Sequence, residues 1–335
     1  AISSNSVFAQ NFNANNIPEN KINTAHAERF GHLLIADPRG RIKPVNTLAS
    51  EVTRKIMKKK KLEGYTPTEL FLSMITDQLL WADINLIKIS NSGVREAYNF
   101  TEDHVSYYQL VFPGGKEKYI LKEAVDLAYN KEVTQRNKYD KEILKLDERV
   151  NLYSMIYFGD LLHIFPVPND KSEKWASANE TNKSLDENLR KSIYGLYSKY
   201  YSTVRQATVT GNWKPADAAL DSLFDYQLKH GGNSLPSANK INAEVFYNKV
   251  DLFSYASKLY LGFGIILLIA LFMRMFNSKL KIQWLINILF GGIVIMFILH
   301  TAALSLRWYI SGHAPWSNGY ETTLTAQYFG NPYTI

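Results

Sequence analysis

His300, Arg307, Trp308, His313, Trp316 and Glu321 are the residues of this chain whose types and spacing could do chemistry. They fall in one stretch, which begins apolar and ends in Ser311-Gly312-His313-Ala314-Pro315-Trp316-Ser317-Asn318-Gly319-Tyr320-Glu321. Ionisable groups at bilayer depth cost several kcal/mol, so a histidine inside an apolar helix is a functional hypothesis by default. Neutral imidazole ligates iron and relays protons. It can equally be a polar side chain hydrogen-bonded to a neighbouring helix. Both readings of His300 stand on the residues alone. Arg307 can snorkel toward water or pair with a carboxylate. His313, with Trp308 and Trp316 near it, makes an aromatic and imidazole platform that could pack against a flat cofactor. Tryptophan and tyrosine also gather wherever lipid meets water.

Two apolar runs must position these residues. The first, Leu259 to Phe276, is almost continuously apolar, with Ser254 to Lys258 supplying its interfacial start. The second runs from Ile282 to Leu306. A bilayer core of about 30 Å needs about 20 helical residues, so transmembrane helices are expected over 255–276 and 282–306. Between them, Arg274, Lys279 and Lys281 make a connector (277–281 and its flank) with three cations and no acid. Positive connectors stay in the cytoplasm. Residues 20–254 and the tail 307–335 are then expected on the extracytoplasmic, periplasmic side of an inner membrane crossed more than once.

Composition agrees with a globular part plus a membrane part. The chain has 335 residues, 46% of them hydrophobic, with the apolar mass concentrated after residue 255. Its net charge of +7 comes partly from Lys58-Lys59-Lys60-Lys61. Such a run reads as a solvated helix end. Without aromatic residues interleaved among the cations, no nucleic-acid partner is expected; the lipid bilayer is. The absence of cysteine excludes disulfides, thiolate metal sites, thiol-disulfide exchange and a Cys-x-x-Cys-His haem attachment within the chain. Ser6-Val7-Phe8-Ala9-Gln10 has small residues at the spacing signal peptidase favours.

The fold class expected is mainly α: a flexible segment over 1–19, then a helical extracytoplasmic domain over 20–254 with a few short strands, then the two spans. Phe30 to Ala36 reads as a strand ended by the turn Asp37-Pro38-Arg39-Gly40. Leu48, Val52 and Ile56 mark a helix entered at Asn46 or Thr47. Thr66-Pro67-Thr68-Glu69 is a capping box opening a helix through about Leu80. One long helical stretch is predicted from Tyr119 to Phe158, a second helix over Leu185–Val204 and a third over Ala218–Lys229. Leu161 to Pro166 reads as extended, and Asp170 to Lys183 as a surface loop. His26, His32, His104, His163 and His230 lack metal-ligand spacing and read as surface or satisfied core histidines. No phosphate-binding loop, nucleophile elbow or zinc-protease motif occurs. No catalytic residue or metal ligand is proposed, and residues 1–250 read as a docking domain.

His300-Thr301-Ala302-Ala303-Leu304-Ser305-Leu306-Arg307-Trp308-Tyr309-Ile310 and the Ser311–Glu321 motif together resemble the early transmembrane segment of CcsA/ResC-type cytochrome c biogenesis proteins. The fused form, in which a large extracytoplasmic domain comes first, is the most similar. Phe30 to Ala49 and Phe158 to Leu162 resemble that domain, so the likeness covers roughly residues 20–321. It implies a component of the system II machinery, which carries haem to the outer face and attaches it to apocytochrome c. The full-length family acts as a haem lyase. The implied partners are haem, apocytochrome c and a CcsB/ResB-type region or subunit. The implied haem-vicinity residues are His300, Arg307, Trp308, His313, Trp316 and Glu321.

The family's Trp-rich WGxxWxWD loop, with its flanking axial histidines, has no counterpart in this sequence, and His300 and His313 do not map onto those ligands. Thr322 to Ile335 is too polar and short to span, so a truncated chain is expected. The alternative reading is a membrane-anchored periplasmic docking module with no cofactor.

Overall fold

Side-chain caps set where the helices of the first part begin. The Asn23 side chain accepts a hydrogen bond from the His26 N–H and opens α1 (Thr24–Gly31). Capping boxes start α3 (Pro67–Thr76) at Thr66 and Glu69, α6 (Tyr107–Val111) at Ser106 and Gln109, and α8 (Lys138–Tyr157) at Asn137 and Asp140. Each box satisfies two backbone N–H groups that no helical carbonyl can reach. The Asp186 carboxylate does the same for α9 (Glu187–Thr210).

The computed structural model describes residues 17–37, 40–170, 174–179, 185–232, 235–250, 252–277 and 279–312. The remaining helices are α2 (Val45–Met57), α4 (Gln78–Ala82), α5 (Ser92–Ala97), α7 (Lys122–Asn130), α10 (Lys214–His230), α11 (Ala238–Val250), α12 (Leu252–Phe276) and α13 (Gln283–Ser311). Among the described residues, six short strands pair as three antiparallel ribbons. β1 (Leu34–Ala36) pairs with β2 (Ile42–Pro44), β3 (Ile87–Lys88) with β4 (His104–Val105), and β5 (Phe165–Pro166) with β6 (Trp175–Ala176). The fold is mainly α, with few strands and two long apolar helices at its C-terminal end, as the sequence leads one to expect. The chain divides into two units after Leu235.

The first unit has one continuous core. Phe30, Val52, Ile56, Leu70, Phe71, Trp81, Tyr107, Ile143, Tyr153 and Tyr200 are among its buried members. Three polar side chains cross-link it. Gln227 on α10 donates through Nε2 to the Leu34 and Ile164 carbonyls, 2.8 Å each, and accepts at Oε1 from the Leu34 N–H at 3.0 Å. One amide thereby completes a strand edge that has no further strand beside it. Arg149 on α8, 2% exposed, donates to the Lys88 carbonyl and, at 2.8 Å, to Glu142. Glu142 also accepts the Ser90 N–H. Burial alone would raise the Glu142 carboxyl, but these bonds outweigh it and hold the group below its usual range.

The third cross-link joins α1, α9 and α10. His26 Nδ1 lies 2.8 Å from Asp217 and Nε2 lies 3.0 Å from the Tyr200 hydroxyl. With Nδ1–H donating to Asp217, Nε2 accepts from Tyr200. Arg29 donates to Asp217 and Asp221 on the outer side, and the Trp213 ring lies 4.9 Å from the imidazole. Burial pulls His26 below the usual imidazole range, with Asp217 opposing it.

Several expected boundaries shift. Phe30 and Gly31 belong to α1, so the strand is only Leu34–Ala36; the Asn23 cap takes the residues before it into a helix. The helix from Thr66 breaks at Asp77, whose non-helical backbone separates α3 from α4. The stretch 119–158 is two helices, because Asn137 starts α8 afresh after a 3-10 turn at Val133–Gln135. The loop expected over 170–183 contains β6, with Trp175 and Ala176 buried. His26 is a satisfied core histidine. His104 bonds Asp103 and the Met57 carbonyl, and His32 bonds the Glu28 carbonyl.

Gln227→Leu keeps the side-chain volume but strands one N–H and two carbonyls, each costing about 1–3 kcal/mol when buried. We expect a stability loss of about 3 kcal/mol or more, read as a lowered midpoint in denaturant unfolding of the full chain in detergent. For His26 the folded state resists the proton that the unfolded chain accepts near pH 6.5. Stability is therefore full above that pH and falls as pH drops below it. His26→Gln should flatten this slope in thermal unfolding; an unchanged slope would assign it to other groups.

Candidate functional site

The second unit carries the long apolar helices. Two of its helices are long and apolar enough to cross a membrane, over Tyr255–Phe276 (22 residues) and Gln283–Ser311 (29 residues). Leu261, Ile265, Leu268 and Ile269 on α12, and Ile288, Phe290, Ile295 and Ile298 on α13, point outward. Apolar surface on this scale has to be covered by lipid or by further apolar helices. The two helices pack as a hairpin. At Gly292 the approach is tight: an added Cβ would meet the Phe263 ring at 3.0 Å.

Polar groups inside α13 look after themselves. Thr301 donates to the Phe297 carbonyl at 2.8 Å and Ser305 to the Thr301 carbonyl at 2.9 Å. Bonding back to the preceding turn is how hydroxyls are tolerated away from water. His300 turns inward instead and is 8% exposed. The Phe253 ring meets it edge-on at 5.2 Å, and the Tyr260 ring lies tilted at 6.2 Å. Phe253 and Tyr260 are seven residues apart on α12, two helical turns, which puts both on the stripe facing α13.

Arg307 and Trp308 follow two turns later. Trp308 is 55% and Tyr309 52% exposed. At the other end of α13, Trp284 is 63% exposed. At 1.5 Å per residue the two tryptophans are separated by about 36 Å along the axis. That span brackets a hydrocarbon core of about 30 Å, as the paired aromatic belts of a membrane helix do. His300 then lies about 12 Å inside the nearer belt. α13 stops just beyond it. Gly312 takes a left-handed conformation (φ +75°) and its N–H bonds the Trp308 carbonyl, a helix-ending cap that favours glycine.

Of the six sequence-derived site residues, His300, Arg307 and Trp308 lie on one helix. His313, Trp316 and Glu321 lie outside the described residues. Of the three described, only His300 is buried. Its neighbours Phe253 and Tyr260 are not apparent from hydropathy; their seven-residue spacing is the signal that picks them out. Among the described residues no group of three His, Asp or Glu side chains could hold a metal ion.

No protein-family model matches the chain. Among curated proteins it is similar to Protein NrfI of Wolinella succinogenes, with 29% identity over 311 residues. The likeness covers 90% of this chain and 33% of NrfI, so the chain spans about a third of the length of that relative. The tenth left outside is too short to omit either unit, so the likeness takes in both the helical unit and the apolar hairpin.

Proposed function

We propose that this chain is part of a system II cytochrome c maturation machine and assists delivery of haem to apocytochrome c on the extracytoplasmic face. The observation that carries the reading is the NrfI likeness across both units, which supports a cytochrome c biogenesis family in agreement with the resemblance at His300 to Glu321. The arrangement of α13 fits such a task. An enclosed imidazole inside the bilayer layer leads, within three turns, to a belt bearing Arg307, Trp308 and Tyr309.

In this reading haem is cargo. His300, Arg307, Trp308, His313, Trp316 and Glu321 border its route, with His300 positioned as support beneath the belt and not as an axial ligand. Arg307 offers a guanidinium suited to a carboxylate such as a haem propionate. The helical unit grips apocytochrome c or a CcsB/ResB-type region. The cations at Arg274, Lys279 and Lys281 favour a cytoplasmic connector in the inner membrane, leaving the helical unit in the periplasm.

Two experiments test this. Disrupting the gene in its host should leave c-type cytochromes without covalently bound haem, seen as loss of haem staining after denaturing electrophoresis; unchanged staining would overturn the proposal. For orientation, an alkaline phosphatase reporter fused after Leu235 should be active and one fused after Leu280 inactive. The reverse pattern would place the helical unit in the cytoplasm and remove the extracytoplasmic role.

A further inference from the structure

The membrane unit begins earlier than its apolar run. α11 is not a hydrophobic segment, yet it packs along α13, and two contacts fix its register there. Phe253, just past its end, meets His300. At its other end the Lys240 Nζ lies 3.5 Å from the position a Cβ on Gly312 would take. Phe253 to Lys240 is thirteen residues, and His300 to Gly312 is twelve. The two segments therefore run antiparallel and nearly in step, and the Tyr247 ring, 6.1 Å from that of Phe253, continues the same packed row.

This register gives the depth of every residue on α11. Phe246 is seven residues from Phe253, about 10 Å outward of the His300 level. Trp308 and Tyr309 lie about 12–14 Å outward of it. Phe246 is 59% exposed, so it does not serve the packing on α13. It shares the outward face of α11 with Asn242 and Lys249, at four- and three-residue spacing. A bulky aromatic flanked by an amide and a snorkelling lysine suits the headgroup layer, where apolar rings and polar tips are both accommodated.

We propose that Phe246, Trp308 and Tyr309 form an aromatic collar facing lipid headgroups, so that α11 is seated in the bilayer interface instead of standing in water. The partner is the phospholipid surface itself. The collar is continuous with the belt that Trp308 and Tyr309 already define, and the matching depths of the two helices carry the assignment.

The absence of cysteine makes a clean test available. In the full chain, Phe246→Cys, Trp308→Cys, Ile269→Cys and Lys59→Cys each place a single thiol for a nitroxide label. The labelled proteins go into phosphatidylcholine vesicles, and accessibility is read with oxygen, which enters lipid, and a neutral nickel chelate, which stays in water. All four positions are exposed, so folding is preserved. Ile269 is the acyl-layer reference and Lys59 the aqueous one. Phe246→Cys should show a severalfold loss of nickel accessibility relative to Lys59→Cys, a gain of oxygen accessibility, and a depth matching Trp308→Cys. Nickel accessibility equal to that at Lys59 would overturn the proposal by putting α11 in water. A label closed to both reagents would also overturn it, because protein and not lipid would then cover the face. Neither result bears on whether the chain handles haem.

Discussion

Water is missing from the middle of a packed domain and from the middle of a bilayer, and each polar group that enters either place must bring its partner with it. In the helical unit that requirement falls on a few side chains. Gln227 supplies both a donor and an acceptor to backbone that has no neighbouring strand. Arg149 and Glu142 enter together, and each then ties α8 to the backbone flanking β3. Removing one partner of such a buried pair costs about 3–5 kcal/mol, because the remaining charge is left uncompensated. These links fix which helices meet, where apolar packing alone would accept several arrangements.

In the hairpin the same requirement is met locally. Thr301 and Ser305 return their hydroxyls to the previous turn of their own helix, which leaves the outer surface of α13 apolar. His300 is 8% exposed. It is turned into the seam with α12, where Phe253 and Tyr260 enclose it. The seam is narrow because Gly292 lets Phe263 approach. The shape of the hairpin thus places His300 between two aromatic rings.

What the sequence made legible was local. Thr66 and Glu69 announce a helix start because both halves of the capping box sit within four residues, and the apolar runs after residue 255 announce spans because length and composition suffice. The errors arose where a distant or weaker local signal decides. Phe30 looks like strand by composition, but an asparagine seven residues earlier has already begun a helix. Asn137 restarts α8 by the same chemistry as Thr66, though no proline marks the position. The partners His26–Asp217 and Leu34–Gln227 are 191 and 193 residues apart, and nothing in either neighbourhood names the other. Within the site, His300, Arg307 and Trp308 stood out as polar or aromatic residues in an apolar helix. Phe253 and Tyr260 did not, because an aromatic ring in an apolar run is unremarkable until its face is known.

Depth is the quantity that connects the two ends of the hairpin. In a bilayer, Trp284 and Trp308 would hold α13 at a fixed height, since moving either ring into the acyl layer or out into water loses the mixed environment that suits it. His300 is carried on the same rigid helix, so its distance below the surface would be fixed as well. The helix then ends within one turn of the belt, where the left-handed Gly312 and its bond to the Trp308 carbonyl stop further winding. In the proposed reading the cargo is a propionate-bearing macrocycle, whose apolar ring and charged carboxylates suit the lipid–water boundary. A support that keeps Arg307 and the aromatic belt at this level would meet such a cargo where it already resides.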